Sequence, residues 1–229
     1  MIRGLMIDFG GTVDTDGVHW YNMFRKAYSL CGVDLSDELL RDAYVNAERT
    51  LGRNRMINPN YTFRKTLEIK TALQKEYLER HGIENIDADS ILNFCYESVT
   101  DNIRIVSKPA LSEITEYLPV VLVTNFYGNM HAVLREFGLD GLIKDVVESS
   151  VVGIRKPDPE IFALGLSVLG FEPHVTLAVG DSAGNDIIPA QKTGCRTVWL
   201  KGIGWEEQEC HPNATVSSLS ELPALIPKF

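Results

Sequence analysis

The sequence predicts a doubly wound α/β sheet interrupted by a helical insertion. Short apolar runs recur at residues 4–8, 119–123, 176–179 and 197–200, with the length and continuity of parallel strands buried on both faces. The later runs are separated by amphipathic stretches that stop at Gly138, Gly170 and Gly194, and glycine after the last apolar position is a helix C-terminal signal. Residues 15–103 break this alternation, being rich in helix formers without a convincing buried strand. Strands alternating with helices give an open parallel sheet, so the expected division is an α/β core of residues 1–14 and 104–229 and a helical domain of residues 15–103.

Each element has its own reason. The first strand ends on Asp8, and Gly10-Gly11 mark a tight turn with close backbone approach. The insertion offers helices over 20–31, 36–52, 60–82 and 89–102. The second starts at Ser36 as an N-cap, although Glu38 falls one residue short of a capping box. The run 119–123 leads to Thr124, a helix follows over 129–137, and another over 159–169. The run 176–179 leads to Gly180-Asp181, a helix covers 186–192, and 197–200 forms a further strand. Polar residues therefore collect just after strands, where open α/β sheets bind ligands.

Composition narrows the possible functions. At 229 residues, 45% hydrophobic and 23% charged, the chain can bury a sizeable core. A formal net charge of −9 argues against a general grip on nucleic acid. It still permits an anionic substrate, because local cations and a metal can invert the field in a cleft. Cys31, Cys95, Cys195 and Cys210 show no metal-type spacing and read as free thiols in a reducing compartment. There is no secretory-signal pattern at the start and no apolar run long enough to span a bilayer. A cytoplasmic protein without a membrane partner is the expectation.

The candidate chemistry begins at Asp8, since a carboxylate can attack phosphorus and form a covalent intermediate. Asp181 and Asp186, five apart after a buried strand, would complete a hard oxygen site suited to Mg²⁺. Thr124 could hold phosphate oxygens with its hydroxyl and nearby backbone N–H groups. Lys156, flanked by Pro157 and Pro159, could be aimed inward by a fixed backbone. Taken singly, each has an ordinary reading: Asp8 and Thr124 as turn residues, Asp186 as a helix cap, and Lys156 as a solvated lysine.

Together, and in this order, Asp8, Thr124-Asn125, Lys156-Pro157 and Gly180-Asp181 through Asn185-Asp186 resemble the haloacid dehalogenase-like hydrolases, in the metal-dependent phosphatase branch with a helical cap. The resemblance implies a hydrolase of a small phosphorylated metabolite that uses an aspartyl-phosphate intermediate. It implies Asp8 as nucleophile and Thr124 and Lys156 as phosphate holders, with Gly11 and Asn125 also at the substrate. It further implies a metal held by Asp8, the Gly10 carbonyl and Asp181, with Asp186 as a ligand or a partner behind the ligands. Arg53 and Arg55 on the insertion offer guanidinium groups to an anionic substrate.

Gly10 departs from the family pattern, which places a second aspartate there as general acid and base. Glycine keeps the carbonyl for a metal and lacks the proton donor. General acid–base catalysis is worth about 10² to 10⁴ in rate, or roughly 3 to 5 kcal/mol of barrier. Activated phosphates are therefore expected to turn over better than sugar phosphates. Asp14 and Asp16 are the nearest carboxylates that could replace the acid, and His19 lies close by. A protein that binds phosphate ligands without turnover is the alternative outside enzymes. A phosphonoacetaldehyde hydrolase-like reaction would need a Schiff-base lysine, whereas residues 51–55 offer arginines, and neither Lys65 nor Lys70 aligns with that role.

Overall fold

The computed structural model describes residues 1–205 and 209–229. Its centre is a six-stranded sheet in the order β3-β2-β1-β4-β5-β6, with every neighbouring pair parallel. The strands are β1 (Gly4–Ile7), β2 (Val120–Thr124), β3 (Asp145–Glu148), β4 (Thr176–Gly180), β5 (Arg196–Leu200) and β6 (Ala214–Val216).

Alternate side chains of the central strands enter different apolar layers, as the two-residue period requires. Leu5, Ile7, Val120, Leu122, Leu177 and Val179 join the larger cluster. Met6, Val121, Val123 and Ala178 face the opposite way, packing with Ile161 and Phe162. Burial on both faces explains why these strands read as continuous apolar runs.

Five α-helices lie between β1 and β2, and the first four fall in the insertion: α1 (Trp20–Leu30), α2 (Asp37–Asn54), α3 (Phe63–Arg80) and α4 (Ala88–Asn102). Ser36, Thr62 and Asp87 cap α2, α3 and α4 through side-chain oxygens that accept from backbone N–H groups. These helices match the expected ones to within a few residues. The chain then forms α5 (Lys108–Thr115), α6 (Met130–Phe137), α7 (Ser149–Val152), α8 (Glu160–Leu169), α9 (Ile188–Lys192) and α10 (Leu222–Leu225).

The four-helix segment touches the sheet region through polar contacts. Tyr127, after β2, donates to Glu48 Oε2 on α2 at 2.6 Å. Asn129 donates to the Tyr61 carbonyl and to Thr66 Oγ1, each at 2.8 Å. Strand order reverses beside β1, so the ends of β1, β2 and β4 open together on one crevice.

Candidate active site

The crevice is a cavity of about 700 Å³ bordered by Asp8, Gly10, Thr124, Asn125, Lys156, Asp181 and Asp186. Residues as far apart in sequence as Asp8 and Asp186 meet there because parallel strands present the same ends. His19, Tyr44, Glu48 and Arg49 form the wall supplied by the helical segment.

At the centre, Lys156 Nζ lies 2.5 Å from Asp8 Oδ1 and 2.6 Å from Asp186 Oδ1. All three residues are buried. The second oxygen of Asp186 accepts from the Ser182 N–H at 3.0 Å, so Asp186 aims the lysine toward Asp8. Burial alone would lower the Lys156 ammonium, but Asp186 and Asp8 outweigh it and hold the group above its ordinary range. Burial raises the Asp8 carboxyl to about 6, with Lys156 opposing and Asp186 adding to the shift. Asp181 is pushed well above the usual carboxylate range by burial, then by Asp186 and Asp8.

Two glycines make the acidic cluster possible. A Cβ on Gly11, whose φ is +94°, would fall on the Asp181 carboxylate. One on Gly180 would fall on Asp186. Thr12, buried beside them, holds Asp181 by accepting from its N–H at 3.0 Å and donating to Oδ1 at 3.1 Å. Trp199 donates to the Asp181 carbonyl at 2.8 Å. Neither Thr12 nor Trp199 was expected from sequence.

Several expected roles change. Gly11 does not border the cavity; its N–H is committed to Asp14 Oδ1 at 2.6 Å, so it is not free to hold a phosphate oxygen. The Asn125 side chain is used inside the protein, donating to the Lys156 carbonyl at 3.1 Å and accepting from the Lys156 N–H at 2.9 Å. That reciprocal pair fixes the loop that presents Lys156. Thr124 sits as expected, buried at the end of β2. Arg53 and Arg55 do not border the cavity. Helix α2 borders the cavity with Tyr44, Val45, Glu48 and Arg49, whereas Arg53 lies in its last turn and Arg55 is its C-cap.

The replacement acids do not materialise. Asp14 is fully buried away from the cavity and accepts from Gly11, Thr15 and Trp20. Asp16 accepts from the Leu219 N–H at 2.7 Å. Gly10 itself has φ −77° and ψ 112°, a backbone any L-residue adopts. A Cβ there would meet nothing within 4 Å. Lys70 is paired with Glu48 at 2.6 Å; burial lowers it, but Glu48 and Tyr44 prevail and keep it charged. Lys65 is solvent-facing and paired with Glu68. Lys70 therefore does not present the neutral amine that a Schiff base requires, and Lys65 does not border the cavity.

A family model for haloacid dehalogenase-like hydrolases matches residues 2–194. The chain belongs to that family. Over 78 residues it is 37% identical to a phosphoserine phosphatase of Thermus thermophilus, covering 34% of this chain and 31% of the relative. Over 110 residues it is 36% identical to the pyrimidine 5'-nucleotidase YjjG of Escherichia coli, covering 47% and 49%. The matches thus span 31% and 49% of the length of these curated relatives. The pyrophosphatase PpaX of Bacillus pumilus is 25% identical over 160 residues, covering 67% and 69%. Among solved structures, L-2-haloacid dehalogenase of Xanthobacter autotrophicus superposes with a TM-score of 0.60 at 16% identity, covering 99% of each chain. The HAD-hydrolase YfnB of Bacillus subtilis gives 0.58 at 20%, covering 98% of each. These structural likenesses bear on the fold. No helix among the described residues is long and apolar enough to cross a membrane.

Proposed function

We propose that this family member is a phosphatase that transfers the phosphoryl group of a small, activated phosphorylated metabolite to Asp8 and then to water. The observation that carries the reading is the pair Asp8 and Gly10: a buried nucleophile held by Lys156, beside a position with room for an acid and no side chain. Relatives named for phosphoserine, pyrimidine nucleotides and pyrophosphate support a phosphorylated substrate without choosing one.

The residues fit a divalent cation. Asp8, Asp181 and Asp186 bring carboxylate oxygens within 4.8 Å of one another, and only hard cations favour such an all-oxygen set. Lys156 is the one protein cation bonded into the cluster among the described residues, and a single positive charge does not balance three carboxylates. Asp8, Asp181 and the Gly10 carbonyl would hold Mg²⁺, while both oxygens of Asp186 are already engaged. When bound, Mg²⁺ supplies positive charge to the phosphate and to the carboxylates around it.

The chain's own residues do the rest. Asp8 attacks phosphorus, and the P–O bond to the leaving group breaks with its electron pair on oxygen. Lys156 and Thr124 hold the non-bridging oxygens. Nothing at Gly10 can hand a proton to the departing oxygen, so leaving groups stable as anions are favoured. Residues 15–103 act as a cap over the core of residues 1–14 and 104–229, with α2 as its inner wall.

The experiment is direct. Acetyl phosphate with Mg²⁺ should label Asp8 as an acid-stable, base-labile acyl phosphate and release inorganic phosphate. Asp8→Asn should abolish both. Retained turnover in that variant would remove Asp8 from the mechanism, and tight binding without turnover in the wild type would favour a binding protein.

A further inference from the structure

We propose that His19 donates a hydrogen bond from Nε2–H to the leaving-group oxygen, supplying stabilisation that Gly10 has no side chain to give. This deepens the phosphatase reading above and rests on it. His19 is the N-cap of α1, and its Nδ1 accepts from the Tyr21 N–H at 3.1 Å. A ring nitrogen that accepts carries no proton, so the neutral ring's proton is on Nε2. The ring borders the same cavity as Asp8 and Gly10. Tyr44 and Trp205 hold it edge to face, with centroids at 5.9 Å and 5.1 Å.

Nε2 has no hydrogen-bond partner among the described residues. His19 is only partly buried, so Nε2–H is open to the cavity, and an oxygen of the bound substrate is the acceptor this cavity would bring. Burial lowers His19 to about 4, with Glu48 opposing, so the ring is neutral at physiological pH. It therefore cannot serve as a cationic acid. It keeps its proton throughout: Asp8 forms the new O–P bond, the old P–O bond breaks, and the leaving oxygen departs as an anion bonded to Nε2–H. Such a donor assists phenolates, carboxylates and phosphates and does not turn an alkoxide into an alcohol.

Asparagine at position 19 separates this role from the helix cap. Its side-chain oxygen is among the best N-cap acceptors, while its shorter side chain withdraws the donor from the cavity. The measurement is the rate of Asp8 phosphorylation, with Mg²⁺, for acetyl phosphate and a series of aryl phosphates of rising phenol pKa. Thermal unfolding of each variant is followed alongside. His19→Asn should steepen the dependence on phenol pKa, with about a ten- to hundred-fold loss at the poorest leaving group. Acetyl phosphate, whose acetate leaves well without much help, should lose least, and the variant should still unfold cooperatively. His19→Gln, whose longer amide reaches further into the cavity, should recover part of the loss and provides the same comparison if His19→Asn does not fold. A uniform loss across the series, or none, in a folded variant would overturn the assignment while leaving Asp8 in place. If the wild type forms no aspartyl phosphate with any of these compounds, the phosphatase reading fails, and this inference with it.

Discussion

Lys156 Nζ stands 2.5 Å from Asp8 Oδ1 and is shared with Asp186 at 2.6 Å. One ammonium group thus ties together the segments that follow two different strands. Removing one member of a buried ionic set leaves uncompensated charge, which costs about 3 to 5 kcal/mol. Lys156→Met should lose stability of that order in urea at pH 7.5 without Mg²⁺. The loss should shrink toward pH 5, because the orphaned carboxylates then take up protons. A loss independent of pH would show that packing, not charge, is what the lysine provides.

Burial raises Asp14 from 3.8 to about 7, although Gly11, Trp20 and Thr15 all donate to it. The sign follows from linkage. A folded-state pKa above the unfolded value means that the folded protein binds more protons between the two. The associated stability is complete below pH 4 and is lost as pH rises through about 7. The urea midpoint of the metal-free wild type should therefore fall between pH 5 and pH 8. Asp14→Asn keeps an acceptor for the Gly11 N–H and should flatten that fall. An identical slope in the variant would contradict the shift.

Gly10 and Gly11 are neighbours with opposite tolerance. Alanine at Gly10 meets an ordinary backbone and open space, so Gly10→Ala should be neutral or stabilise by about 0.4 to 1 kcal/mol. Gly11→Ala must occupy φ +94° and displace the Asp181 carboxylate. It should destabilise by more than about 1 kcal/mol and weaken Mg²⁺ binding, as read by calorimetry. Equal effects of the two substitutions would mean that the turn is differently built.

The strands that could be read from the sequence were those buried on both faces, such as β1, β2 and β4, whose apolar runs are unbroken. The edge strands β3 and β6 were not legible. Asp145–Glu148 has a charge at each end, and Ala214–Val216 is three residues long. Asp8, Thr124, Lys156, Asp181 and Asp186, which were singled out by the order of their motifs, border one cavity. Gly11 and Asn125 were given substrate roles because their real partners, Asp14 and the Lys156 backbone, are chosen by the folded turn geometry. The α2 wall was missed because Tyr44, Glu48 and Arg49 look like any half-exposed helix face until the cavity gives that face a purpose.

In the proposed mechanism Gly10 leaves nucleophilic attack intact and removes proton transfer to the leaving group. The most direct test compares kcat/KM for acetyl phosphate and for a sugar phosphate in the wild type and in Gly10→Asp, both with Mg²⁺. The wild type should strongly prefer acetyl phosphate, and the variant should gain about 10² to 10⁴ for the sugar phosphate alone. Equal efficiency on both compounds in the wild type, with no gain on adding the carboxylate, would contradict this mechanism.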